Sequence, residues 1–318
     1  MRRLLIGLAA GALFVTATAC GSSGSGASSS GGTTTLRLGV IPIIDVAPMY
    51  LGEKKGFYKK RGLELEPTLA QGGAAIVPGV VSGQFDFGFS NMTSLLVAQS
   101  KNVPVKAVVN GVASTGRVGA DFAEIAVKKG SPMKSASDLE GKKVAVNTFG
   151  NICDTSVNES VRKAGGDPSQ VEYVELPFDQ MPAALAKGQV DAACVVEPAL
   201  ATIKSQGGTV LASNFVDVSP FLTVAMYFTS QQYAEKNPEL VKKFQEATAE
   251  SLAYADEHPD EVRQIITTYT KIPENLLETV VLPHWPAEPD RDSIQRLADL
   301  GQKDGLFEKA PDLDKLLP

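Results

Sequence analysis

LRLGVIPIIDVAPMYLGEKKGFYKKRGLELEPTL, residues Leu36 to Leu69, holds a complete strand, helix and strand. Leu36–Ile41 is a short apolar run, long enough for a strand. Ala47–Lys60 carries helix formers behind Pro48, which costs little in a first helical turn because its missing N–H had no partner there. The spacing predicts a helix ending near Gly62, and Leu63–Leu69 alternates as a strand does. The same rhythm continues outward. Ala74–Ser82 reads as a helix, Phe85–Phe89 as a strand, Met92–Ser100 as a helix and Val103–Val109 as a strand. Strands separated by helices of this length imply parallel pairing through crossover helices, the pattern of a doubly wound α/β lobe.

A second series follows Phe122–Lys128. Strands are expected at Lys143–Asn147, Val171–Leu176, Val190–Val196 and Thr209–Ala212, with helices at Asp154–Ala164, Met181–Lys187 and Ala199–Gln206. Two series in one chain suggest two lobes, although no sequence repeat links them. From Gln231 the pattern is helical, with a long helix expected from Pro238 to about His258 and further helices beginning near Pro259, Pro273 and Pro289.

Five pieces, taken in order, resemble one family. They are APMYLGEKKGFYKKRGL at Ala47–Leu63, GGAA at Gly72–Ala75 and SGQFDFG at Ser82–Gly88, then DLEGKKVAV at Asp138–Val146 and ALAKGQVDAA at Ala184–Ala193 followed by Glu197-Pro198. Together they resemble the nitrate/sulfonate/taurine-type, or NMT1/THI5-like, binding proteins of ABC importers. That resemblance covers about Leu36 to Ala212. It implies the two-lobed periplasmic binding protein type II fold, each lobe a doubly wound sheet, with a helical C-terminal tail. Lobe one would hold 36–124, lobe two 125–223, and 224–318 would return to lobe one. Crossings are expected near Phe122–Val127 and Val224–Thr229. The resemblance also implies a small-molecule ligand in the interlobe cleft, capture by hinge closure, and an ABC permease with its ATPase as partners.

Ligands of open α/β sheets sit outside the carboxyl ends of the strands. Reading those ends gives Asp45, Gly73, Ala74, Asn91, Thr93, Asn147, Thr148, Asn151, Asp179 and Glu197 as candidate ligand contacts. Asn91, Asn151 and Asp179 precede helices, so N-capping explains them equally well. Glu197 lies in a matched block and is the first choice for a contact. Phe149 and Phe178 read as pocket wall or as core. The candidate list holds carboxylates and amides but neither lysine nor histidine, which tilts the ligand toward a neutral, zwitterionic or nitrogen-bearing compound and leaves its identity open.

The N-terminus sets the expected compartment. Arg2 and Arg3 precede a charge-free apolar run, Leu4–Val15, of secretory length and too short to span a bilayer. Ala17-Thr18-Ala19-Cys20 then resembles a lipobox, although Ala17 stands where Leu is preferred. Residues 1–19 would be a signal peptide, Cys20 the lipidated residue, and 20–35 a Gly/Ser/Thr tether. An ordinary secretory signal with an incidental cysteine is the alternative. The implied location is the extracytoplasmic face of the cell membrane, with the lipid as the membrane contact and the protein a monomer.

Removing Arg2 and Arg3 leaves 28 basic residues against 36 acidic ones, a net charge of −8 that argues against nucleic acid. Cys153 and Cys194 are expected as two separate buried thiols, with a disulfide as the alternative. Both histidines fall in the helical tail and neither pairs with a cysteine at metal-ligand spacing, so no metal, cofactor or enzymatic activity is expected. A ligand-sensing lipoprotein, and behind it a pyrimidine-synthase-like enzyme, are the competing readings.

Overall fold

The computed structural model describes residues 32–318. The signal segment, Cys20 and the tether as far as residue 31 lie outside the described residues. The last two tether positions are already strand, because Thr34 donates its N–H to the Gly62 carbonyl at 2.8 Å and pairs in register with Leu63.

The first sheet builds outward from β1 (Thr34–Val40), which buries Leu36, Leu38 and Val40. Helix α1 (Ala47–Lys55) ends five residues short of expectation, at Gly56, whose φ of 78° is a left-handed conformation that favours glycine. The lysine- and arginine-rich remainder is a separate 3-10 turn at Lys59–Arg61. Strand β2 (Leu63–Leu69) buries Leu63 and Leu65 and exposes Glu64 and Glu66, the alternation of an edge strand. Next come α2 (Gly73–Val81), the wholly buried β3 (Phe87–Asn91), α3 (Met92–Ser100) and β4 (Val105–Ala113). Asp86 locks β1 beside β3 by accepting from the Arg37 N–H at 2.9 Å and from its guanidinium at 2.7 and 3.1 Å.

The second sheet contains β5 (Ala123–Val127), β6 (Lys143–Val146), β7 (Glu172–Glu175), β8 (Ala192–Val196) and β9 (Thr209–Ala212). Helices α4 (Ile152–Lys163), α5 (Met181–Ala186), α6 (Ala199–Ser205) and α7 (Asn214–Val218) cover it. Its strands obey the period-two rule on both faces. Ile125, Val127, Val144, Val146 and Cys194 enter one core cluster, while Ala126, Ala145, Ala193 and Val195 enter the other.

Strand β10 (Thr223–Ser230) returns the chain to the first sheet. The strand orders are β2-β1-β3-β10-β4 and β7-β6-β8-β5-β9. The all-parallel pairing expected from the sequence is therefore corrected. In each sheet, the strand arriving from the other sheet inserts antiparallel, β10 between β3 and β4, and β5 between β8 and β9. A strand that enters at the opposite end of a sheet runs against its neighbours, and a reading of crossover helices alone does not see it.

The two connecting segments, 114–122 and 213–222, lie side by side. Ser114 donates its N–H to the Leu222 carbonyl at 2.9 Å, and Gly119 donates its N–H to Ser213 Oγ at 2.7 Å. Asp121, fully buried, accepts from Ser114 Oγ at 2.6 Å and from the Thr115 and Phe122 N–H groups at 2.9 Å.

The tail supplies α8 (Gln231–Lys236), α9 (Pro238–Glu257), α10 (Pro259–Ile265), α11 (Arg291–Lys303) and α12 (Leu313–Leu316). Helix α9 packs closely on α1, where a Cβ on Gly52 would come within 1.8 Å of Ser251 Oγ. Among the described residues, no helix is long and apolar enough to cross a membrane.

The expectation of two free thiols is also corrected. Cys153 and Cys194 form a disulfide with Cα atoms 5.9 Å apart. They stand 41 residues apart in sequence and meet only because α4 packs on the face of β8 that Cys194 occupies, which their spacing could not disclose.

Candidate functional site

The carboxyl ends of β1, β3, β6 and β8 face one another between the sheets, and three connected cavities fill the space. The deepest, of about 30 Å³, is lined by Asp45, Asn91 and Asn147 together with Ile41, Ile43, Phe89, Ile152, Cys153, Phe178 and Phe215. Two outer cavities, of about 480 and 280 Å³, meet it at Ile43 and Phe178, which line all three.

Asp45 sits in the 3-10 turn Ile44–Val46 that follows β1. This turn is held from three sides. The Ile44 N–H donates to the Glu197 carbonyl at 3.1 Å, Tyr269 Oη donates to the Ile43 carbonyl at 3.1 Å, and Trp285 Nε1 donates to the Asp45 carbonyl at 3.1 Å. The Asp45 side chain is 2% exposed, and its Oδ1 has no hydrogen-bond partner among the described residues. Burial pushes its carboxyl up to about 7, and the nearby charge of Asp121 adds to the rise.

Asn91 ends β3 and caps α3, its Oδ1 accepting the Ser94 N–H at 2.9 Å. Asn151 caps α4 in the same way, its Oδ1 accepting the Cys153 N–H at 2.7 Å. Its amide donates to Asn147 Oδ1 at 2.9 Å and to Thr148 Oγ1 at 2.6 Å, so Asn151 and Thr148 stand behind Asn147 and hold it. Asp154 completes the capping box, accepting from the Asn151 N–H at 3.1 Å and from the Gly150 N–H. Burial raises its carboxyl to about 6.

Asn147 also closes the cleft. Gln71 Nε2 donates to the Asn147 carbonyl at 2.7 Å, and Asn147 Nδ2 donates back to the Gln71 carbonyl at 3.1 Å. This exchange joins the end of β2 in one sheet to the end of β6 in the other. Gly72 permits the approach, since a Cβ there would stand 2.7 Å from Asn147 Nδ2 and 2.9 Å from Thr148 Cγ2.

The remaining candidates fall elsewhere. Gly73 serves packing within the first sheet, where a Cβ would lie 1.9 Å from Ser90 Oγ. Ala74 is exposed on α2, and Thr93 is buried in α3; neither lines the cavities. Asp179 lines the outer cavities, where it pairs with Lys271 at 3.1 Å. Glu197 lines the largest cavity, yet both of its oxygens already accept backbone N–H groups, Oε2 from Ala201 at 2.9 Å and Oε1 from Val281 at 3.2 Å. It braces the start of α6 against the tail. Burial raises its carboxyl to about 7.

The sequence reading missed Gln71, Tyr269 and Lys271. Gln71 announces itself only as the residue before the glycine turn. Tyr269 and Lys271 arrive from the tail and carry no local signal, although Tyr269 stacks on Tyr50 with ring centroids 4.1 Å apart.

Known proteins agree with this architecture. The taurine-binding periplasmic protein of Escherichia coli K12 is 29% identical over 230 residues, covering 72% of this chain and 67% of that protein. A yeast enzyme, the 4-amino-5-hydroxymethyl-2-methylpyrimidine phosphate synthase THI5 of Saccharomyces cerevisiae, is 25% identical across 65% of this chain and 62% of its own length. Among solved structures, the alkanesulfonate-binding protein SsuA of Xanthomonas axonopodis pv. citri, bound to MOPS, superposes with a TM-score of 0.76. That match covers 91% of this chain and 99% of SsuA at 19% identity, which establishes the two-lobed periplasmic binding protein fold. Residues 43–262 match the NMT1/THI5 like family, and with most of the chain inside that match the protein belongs to it.

Proposed function

We propose that this protein is the extracytoplasmic solute-binding component of an ABC importer, capturing one small organic molecule between its two sheets by hinge closure. The observation that carries this reading is the Gln71–Asn147 exchange, which draws strand ends of both sheets together over a polar and aromatic cavity. The paired connecting segments at 114–122 and 213–222 supply a hinge about which 36–124 with 224–318 and 125–223 would move as lobes. The taurine-binding and alkanesulfonate-binding relatives support capture rather than turnover. The closed lobes would then dock on a permease driven by its ATPase.

The test is a binding titration. A captured compound at 100 times its dissociation constant should stabilise the protein by about 2.7 kcal/mol and be recovered chemically unchanged. Conversion of the compound would contradict the reading in favour of the synthase-like alternative.

Anchoring through Cys20 is part of the same proposal, supported by the charge-free run before it and the small residues leading into it. Cys20→Ala is expected to release the protein from the membrane fraction or to leave it as unprocessed precursor. A processed mutant that still fractionates with membranes would overturn the lipoprotein reading.

A further inference from the structure

We propose that the deep end of the cleft is a recognition site for an N–H donor, a nitrogen heterocycle, amidine or protonated amine, held by Asp45 Oδ1. This rests on the solute-binding reading above and names the ligand class for that cleft.

Asp45 carries the argument first. A carboxylate oxygen kept from water without a donor is costly, and such groups in native structures call for an explanation. Asp45 lines the deep cavity and its buried Oδ1 has no donor among the described residues, so a ligand donor reaching it would meet an unsatisfied acceptor. An ionised carboxylate can only accept, which selects a ligand that donates.

The surroundings weigh against an anion on independent grounds. Among the described residues, no lysine, arginine or histidine lines the deep cavity, and Lys271, in the outer one, is paired with Asp179. Of the two amides lining the deep cavity, each already spends one of its two N–H donors. Asn91 Nδ2 donates to Ser94 Oγ at 3.1 Å, and Asn147 Nδ2 donates to the Gln71 carbonyl. Helix N-termini often bind anions, but the start of α4 already holds one, the carboxylate of Asp154 on the Gly150 and Asn151 N–H groups. Phe89, Phe178 and Phe215 supply flat apolar walls suited to a ring or an apolar stem. At about 30 Å³, the cavity as it stands admits no such body, so the lobes must part before the ligand enters.

Protonation separates the two ligand classes. The titratable groups whose charge reaches Asp45 are Asp121 on the first connecting segment, Tyr227 of β10 and Tyr269 of the tail, with Tyr50 of α1 stacked on Tyr269. Burial raises all three tyrosine hydroxyls, so they stay protonated near neutrality. With the Asp45 carboxyl at about 7, a donor ligand favours the ionised form and should bind more tightly as pH rises from 6 to 8, by roughly tenfold. An anion accepting from the protonated acid would show the opposite slope.

The experiment uses the full mature protein with cytosine, adenine and benzamidine as donor probes and nitrate and methanesulfonate as anion probes. At least one donor probe should bind at 1:1 stoichiometry, with the stated pH slope, and Asp45→Asn should weaken it tenfold or more. The anions should give no binding at equal concentration. The slope is read on the wild-type protein, so the test survives a variant that fails to fold. Binding of nitrate or methanesulfonate, a falling slope, or no binding by any donor probe would overturn the inference. A broad metabolite mixture then distinguishes the two failures. A bound component of another class leaves the solute-binding reading standing, whereas no bound component removes that reading as well.

Discussion

Reducing the Cys153–Cys194 disulfide, or replacing both residues by alanine, is expected to lower the stability of the folded protein by about 4 kcal/mol. The bridge closes a loop of 41 residues, and the chain entropy it removes from the unfolded state scales with the logarithm of that length. For a protein of this size, the change corresponds to a fall in melting temperature of roughly 6–7 °C. Melting the wild-type protein with and without reductant isolates the bridge, because no side-chain volume is lost. The effect on the site should be visible too, since Cys153 lies in the first turn of α4 and lines the deep cavity. Two titratable thiols in the non-reduced, denatured protein, with melting indifferent to reductant, would contradict the bridge.

Glu197→Ala is expected to lower the stability of the ligand-free protein by about 2–6 kcal/mol, since it leaves the Ala201 and Val281 N–H groups without acceptors at about 1–3 kcal/mol each. Glu197→Gln keeps one carbonyl acceptor and should lose less. The pH dependence follows from the raised pKa. The folded carboxyl titrates near 7 and the unfolded one near 4.5, so the contribution of Glu197 is fully present below about 4.5 and is lost as pH rises through 7. The cost of Glu197→Ala should therefore be larger at pH 5 than at pH 8. Urea unfolding at the two pH values, beside the affinity of a bound probe, measures both effects. Unchanged stability with collapsed affinity would return Glu197 to the role of ligand contact expected from the sequence.

Much of the fold was legible because burial on a sheet imposes a period that survives in one sequence. Met92–Ser100, Leu63–Leu69 and Thr209–Ala212 were read at their observed limits. The end of α1 was not, because Gly56 and Gly62 both adopt left-handed conformations and only packing decides which one stops the helix. The antiparallel insertion of β5 and β10 was hidden as well, since pairing direction depends on where the chain re-enters a sheet.

The candidate site was legible in part. Asp45, Asn91 and Asn147, read from strand ends, line one cavity, because an α/β sheet gathers its carboxyl ends by construction. Which polar atoms stay unsatisfied is a tertiary property. Asn91 and Asn151 turned out to cap helices, Glu197 to brace the tail, and Asp45 alone of these four to keep an acceptor without a donor. Tyr269 joins the site across 219 positions from Tyr50, its stacking partner, a distance at which no local pattern operates.

Capture between the two sheets is most directly tested by amide hydrogen exchange, with the first compound found to stabilise the protein. Bound ligand should slow exchange at once in peptides spanning 41–46 and 87–92 of the first sheet and 146–153 of the second. Protection confined to one sheet, or to neither, would contradict the account.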